Sequence, residues 1–196
     1  MNRILILFAH PALEKSRVQR RLLKAAETID DITTHDLYET YPDFMIDVPA
    51  EQSLLLEHDL ILFQHPFYWY SCPSLLKEWQ DLVLEYGFAY GRDGDALKNK
   101  TLGSIISSGG SRMSYAEDGK NNYSMKQLLQ PFDQTARLCG MNYLPPFTVH
   151  RTHDMHESVI DEYAEQYRQI LWRLQRDLPT EEEITSLEYL NDWTAK

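Results

Sequence analysis

Hydrophobic positions along this chain fall into short apolar blocks separated by longer amphipathic stretches. Residues 4–9 (ILILFA), 60–64 and 102–107 are apolar runs with few interruptions. Runs of that length read as strands covered on both faces of a parallel sheet. Residues 31–37 alternate and predict a second strand. Residues 143–150 form a fifth, broken by Pro145-Pro146. Helical patterns lie between them. Ser16 is placed to cap a helix running to about Ile29, and a short helix covers 50–57. Pro73 opens a helix through 85. A helix over 125–139 is closed by Gly140, and an amphipathic helix spans 158–176. LYETYPDFMIDVP, residues 37–49, reads as a long connection. Strict alternation of strand and helix predicts an α/β fold, an open five-stranded parallel sheet of order 2-1-3-4-5 with helices on both faces.

The length of 196 residues fits one such domain. The opening ILILFA meets His10-Pro11 rather than a small-residue cleavage site, so it reads as a buried strand and not a leader. No apolar run approaches a membrane span. A cytoplasmic protein is expected. The net charge of −11 disfavours nucleic acid and anionic lipid as direct partners. Two distant cysteines, Cys72 and Cys139, argue against a disulfide scaffold. The tail at 178–196 is acidic and follows the main pattern as an extension, either docked or mobile.

Ligands of open α/β sheets bind beyond the carboxyl ends of the strands, and three segments lie there. In AHPALEKSRVQ, a loop delivers Ser16 to a helix start, where free amides and the helix dipole favour an anion. Ser16 and a neutral His10 could add hydrogen bonds to a phosphate, although taken alone a plain cap and a turn histidine are the commoner reading of a strand–loop–helix. In HPFYWYSCPSLLKEW, four aromatics stand between two prolines. Held extended, they would lay rings and amides beside a flat heterocycle, or pack a subunit interface. In ISSGGSRMSYAEDGKN, paired glycines after a strand let backbone approach a ligand closely, with Ser107, Ser108, Arg112 and Tyr115 at hand. DGKN fails as a P-loop, because Asn121 stands where Ser or Thr must bind Mg²⁺. No GxGxxG is present. Cys72 at a helix start has a location that lowers a thiol pKa, against the plainer reading of an inert buried residue. His150, His153 and His156 are three apart but would not share a face, so no metal site is expected. Phe44 is either core or part of a closing loop.

These segments together resemble the NAD(P)H quinone oxidoreductase family of flavodoxin-like proteins. The motifs are AHP with Ser16, HPFYWYSCPSLLKEW, SSGG and GFAYG. DLY..YPDF.ID and LPPF bring the resemblance closer to the Kef subgroup, ancillary proteins of glutathione-regulated potassium efflux systems. The resemblance covers about residues 3–175. It implies a flavodoxin-like three-layer sandwich, with a flavin-binding domain at 1–177 and the acidic extension at 178–196. It also implies a homodimer with the active site at the subunit interface. Carried over by position, His10, Ser16, Arg17, Val18 and Gln19 would hold the flavin phosphate. Pro66, Phe67, Tyr68, Trp69 and Tyr70 would border the ring, and Ser107, Ser108, Gly109 and Gly110 would meet its polar edge. FMN is the implied cofactor, with FAD the alternative used by longer relatives. NAD(P)H would be the cosubstrate and a quinone-like molecule the acceptor.

Two departures matter. Larger relatives carry a Tyr and, six residues on, a His beside the flavin. Here Tyr115 is followed by Asn121, and a neutral amide cannot relay a proton as imidazole does. Tyr68 stands where several relatives have Gln. A mainly regulatory subunit of a potassium efflux transporter is therefore carried beside the enzyme reading. An electron-transfer flavodoxin fits the aromatic segment less well.

Overall fold

The computed structural model describes residues 1–193. A parallel sheet runs β2-β1-β3-β4-β5, with β6 also paired to β4. Its strands are β1 Ile4–Phe8, β2 Ile32–Asp36, β3 Leu60–Pro66, β4 Thr101–Ser107, β5 Asn142–Tyr143 and β6 Phe147–Val149. The order is the one the alternation predicts. The two short strands are one expected strand in two pieces. Both pair with β4, and Pro145 and Pro146 between them have no N–H to give the ladder.

The side-chain period of two sorts the strand residues onto two cores. Leu5, Leu7, Ile61, Phe63, Leu102 and Ile106 face one. It is filled by helices α3 Val48–Leu56, α4 Ser74–Val83 and α6 Gln130–Leu138. Ile4, Ile6, Phe8, Leu60, Leu62 and Ile105 face the other, covered by α1 Arg17–Ala26 and α7 Glu157–Arg176. Each fully buried Leu, Ile or Phe contributes about 1.5–3 kcal/mol, so both layers are strongly held to the sheet. This double cover explains the unbroken apolar runs. In β2, an edge strand, all five residues are half-buried and the expected alternation of exposure is absent.

Several helix limits differ from the sequence reading. The helix expected over 125–139 divides into α5 Met125–Leu128 and α6, because Pro131 cannot donate to the preceding turn. The connection after β2 contains a further short helix, α2 Leu37–Thr40, capped by the Asp36 carboxylate. α1 ends at Ala26 rather than Ile29. α3 starts at Val48 rather than Ala50, with Asp47 as its cap. α4 stops at Val83. Gly140, at φ +71°, terminates α6 in the left-handed conformation that favours glycine.

Beyond α7, helix α8 Glu181–Ser186 and a 3-10 turn at Leu190–Asp192 fold back on the second core. Leu190 and Trp193 are buried there. Thr148 N donates to Asn191 Oδ1 at 2.8 Å, and Leu190 N donates to Pro146 O at 2.9 Å. The last three residues of the acidic extension lie outside the described residues.

The connection from α2 to α3 is held by one buried carboxylate. Glu51 accepts from His35 Nε2 at 2.7 Å, Tyr41 Oη at 2.6 Å and Trp79 Nε1 at 2.7 Å. Burial alone would raise its pKa. The three bonds outweigh that and hold the carboxyl below its ordinary range.

Candidate functional site

The carboxyl ends of β1, β3, β4 and β6 open onto a cavity of about 420 Å³. Its wall contains His10, Ser16, Arg17, Val18, Pro66, Phe67, Tyr68, Ser107 and Gly109 among the expected residues. Ala12, Lys15, Thr152 and His153 also line it. Thr152 and His153 were not assigned to it from sequence. They follow β6, the second piece of the expected fifth strand, whose end carries no site segment in the sequence reading.

The floor at α1 suits an anion. Ser16 Oγ accepts from Gln19 N at 3.1 Å. The amides of Arg17 and Val18, the first two of the helix, have no partner among the described residues. Their dipoles and the nearby Lys15 favour negative charge. His10 Nδ1 accepts from Ala12 N at 3.1 Å, which places the ring proton on Nε2. Burial lowers the His10 pKa, so the ring is a neutral donor at physiological pH. Arg17 is committed elsewhere: its guanidinium donates to Glu157 Oε1 and Met155 O, both at 2.8 Å. Gln19 turns inward. Its Nε2 donates to His65 O at 2.9 Å and Ser107 Oγ at 3.0 Å, and its Oε1 accepts from Gln64. It ties α1 to β3 and β4 and leaves no side-chain atom for a ligand.

The aromatic segment is a turn, not the extended run expected from its flanking prolines. Trp69 and Tyr70 have φ of 47° and 64°, and Ser71 N donates to Tyr68 O at 3.0 Å. Two consecutive left-handed residues are the signature of a type I′ turn. Bulky side chains rarely adopt that conformation, which costs about 1–3 kcal/mol per residue and marks functional sites. Phe67 is buried, whereas Trp69 is 93% exposed and Tyr68 and Tyr70 are about half exposed. The Trp69 and Tyr70 amides have no partner among the described residues, while Tyr68 N donates to Pro66 O. Tyr70 Oη donates to Asn121 Oδ1 at 3.2 Å.

The glycines after β4 are crowded by this chain's own side chains. A Cβ on Gly109 would lie 2.6 Å from His153 Nε2, and one on Gly110 would lie 2.9 Å from the Tyr115 ring. Ser107 Oγ is taken by Gln19. Ser108 Oγ bonds His150 Nδ1 at 3.0 Å. Tyr115 is buried and packs edge-on against Phe67 at 6.0 Å. Burial raises its pKa, so its phenol stays protonated. Arg112, expected near a ligand, turns to the C-terminal segment instead and donates to Asp192. Burial raises the Cys72 pKa despite its place before α4, the reverse of the shift expected from a helix start alone. Phe44 is largely exposed at φ +65° and touches Tyr38, so it is not a core residue.

A flavin phosphate fits the α1 floor, and the partnerless amides beside exposed rings fit the edge of a flat heterocycle. The cavity joins the α1 floor to Phe67 and Tyr68 at the start of the turn, while Trp69, Tyr70, Ser108 and Gly110 are not among its lining residues.

The chain belongs to the family described as having the flavodoxin-like fold, whose model matches residues 2–171. Within it, the chain is 46% identical over 180 residues to the glutathione-regulated potassium-efflux system ancillary protein KefG of Pectobacterium carotovorum. That match covers 92% of this chain and 97% of the relative. Among solved structures it resembles general stress protein 14 of Treponema denticola in complex with FMN, at 40% identity and TM-score 0.84. That likeness covers 88% of this chain and 99% of the other. An NADPH-quinone reductase from P. pentosaceus superposes with TM-score 0.79 at 32% identity, covering 90% and 99%.

Proposed function

We propose that this chain is an FMN-dependent NAD(P)H:quinone oxidoreductase that serves as the ancillary subunit of a potassium efflux system. The observation that carries this reading is one cavity that joins partnerless helix amides to Phe67 and Tyr68, where the aromatic turn begins. The FMN-bound and quinone-reductase neighbours and the KefG relative support it. The FMN-bound neighbour favours FMN over FAD.

When bound, FMN would supply a ring that accepts two electrons from NAD(P)H and passes them to a quinone in a second half-reaction. The protein's part is to bind and orient. Arg17 and Val18 amides, Ser16 and His10 Nε2–H would hold the phosphate. The Trp69 and Tyr70 amides would stabilise negative charge on the ring edge. Tyr115, kept neutral, and Asn121, which accepts from Tyr70, would border the acceptor. Neither is a proton relay at neutral pH, so water would protonate the quinone. The exposed Trp69 and its half-exposed tyrosine neighbours would be covered by a second copy of the chain, completing the site in a homodimer.

A steady-state assay with NADPH or NADH and a soluble quinone tests the reading. Turnover that requires added FMN, with parallel-line kinetics for the two substrates, is the expected result. FMN binding with no quinone-dependent oxidation of either nucleotide would instead support a regulatory subunit, a reading favoured by Asn121 standing where a proton-carrying residue would serve.

A further inference from the structure

We propose that residues 187–193 form a strap that sets the position of Tyr115, with Tyr189 as the positioning residue acting through His150. The family match ends at residue 171, so this segment lies outside it. Two sets of contacts reach from the strap to the same small turn.

The first is a stack of rings. Tyr189 is buried and meets His150 edge-on at 5.5 Å. His150 lies against Tyr115 at 5.6 Å with the planes tilted by 33°. Tyr115 in turn packs on Phe67, which lines the cavity. The Tyr189 hydroxyl and His150 Nε2 are buried with no hydrogen-bond partner among the described residues. The Tyr189–His150 contact is therefore made by ring packing and not by a hydrogen bond.

The second is a charge clamp. Arg112 opens the 3-10 turn Arg112–Tyr115. Its guanidinium donates to both carboxylate oxygens of Asp192, at 3.3 and 2.7 Å, and lies 4.4 Å from the centre of the Tyr189 ring. Glu188 stands 3.7 Å away. One end of the turn is thus held by charge and the other, at Tyr115, by stacking. A bidentate pair fixes orientation as well as distance. The strap itself is fastened by Asn191 to β6 and α7 and by buried Leu190 and Trp193. Releasing it would free the turn and shift Tyr115 relative to Gly110, where an added Cβ would lie 2.9 Å from its ring.

The consequence for acceptor binding rests on the quinone reductase reading above; the mechanical link does not. The test uses the full chain loaded with FMN, as wild type, Tyr189→Phe, Tyr189→Ala and Asp192→Asn. Amide hydrogen exchange at residues 111–115 is measured beside quinone KM and the rate of flavin reduction by NADPH. Tyr189→Ala and Asp192→Asn should each raise exchange at 111–115 several-fold and raise quinone KM, with flavin reduction unchanged. Tyr189→Phe, which keeps the ring, should match wild type. Unchanged exchange in Asp192→Asn, a surface variant that leaves the core intact, overturns the strap. A Tyr189→Phe variant that behaves like Tyr189→Ala overturns the role of the ring. Raised exchange with unchanged KM overturns the link to the acceptor. A wild type without quinone turnover defeats the enzyme reading, while the exchange data still decide the strap.

Discussion

Gln19 Nε2 donates to Ser107 Oγ at 3.0 Å, joining the helix that presents the anion site to the strand end that carries the SSGG turn. The same amide donates to His65 O, and Gln64, which bonds Gln19 Oε1, also accepts from Tyr167 on α7. Two strands and two helices thus meet at one buried polar cluster. Replacing Gln19 by Leu removes the donor and leaves Gln64 Nε2 without its best acceptor. Each buried group left unpaired costs about 1–3 kcal/mol. Gln19→Leu is expected to lose about 3 kcal/mol of stability, read by urea unfolding of the apo-protein. An unchanged midpoint would show that the cluster is not a structural tie.

Glu51 gives a pH signature. Its carboxyl titrates lower in the fold than in the unfolded chain, because the bonds from His35, Tyr41 and Trp79 outweigh its burial. The stability it adds is fully present above the unfolded value of about 4.3 and is lost as pH falls through the folded value. Glu51→Gln cannot titrate. It is expected to cost about 2 kcal/mol at pH 7, where a charge-assisted network becomes neutral. The gap to wild type should narrow in melts taken stepwise toward pH 3. A gap that widens on acidification contradicts the network.

The two glycines after β4 are predicted to differ. A methyl group at Gly109 meets the exposed His153 ring, which can swing away, so Gly109→Ala should change stability by less than about 1 kcal/mol. Gly110→Ala meets the buried Tyr115 ring, which has nowhere to move, and overpacking of that kind costs about 1–3 kcal/mol. Thermal melts of the two variants decide this, and equal losses would show that the crowding at Tyr115 is relieved elsewhere.

Much of this was legible in the sequence because period and composition report burial directly. The three fully buried strands and the sheet order follow from apolar runs such as ILILFA, and the cap at Ser16 follows from its side chain and position. What was not legible depends on tertiary partners. The turn at Trp69 and Tyr70 is written in no glycine or asparagine, so its left-handed backbone carries no local signal. Gln19 reads as a polar first-turn residue, and only the neighbouring strands make it a buried tie. Arg112 reads as a ligand arginine until the acidic tail is seen to fold back on it. Asp36 before Leu37 is a cap of the ordinary kind, but the Tyr and Pro residues that follow it suggest a connection rather than a helix.

Ser16 links fold and ligand. Removing its hydroxyl in Ser16→Ala should cost about 1 kcal/mol of helix capping in the apo-protein. It should weaken FMN further, by roughly tenfold for each 1.4 kcal/mol of lost phosphate contact. Fluorescence titration with FMN, set beside the unfolding data, separates the two effects. A variant that loses stability and keeps wild-type affinity would confine Ser16 to the cap.

If the amides at the start of α1 hold a flavin phosphate, that phosphate must carry much of the affinity for the cofactor. Titration of the apo-protein with FMN and with riboflavin, which carries the same ring and no phosphate, tests it most directly. FMN is predicted to bind at one per chain and at least about a hundredfold more tightly, since a charge-assisted phosphate site contributes about 3 kcal/mol or more. Equal affinity for the two, or no binding of either, would show that these amides hold no flavin phosphate.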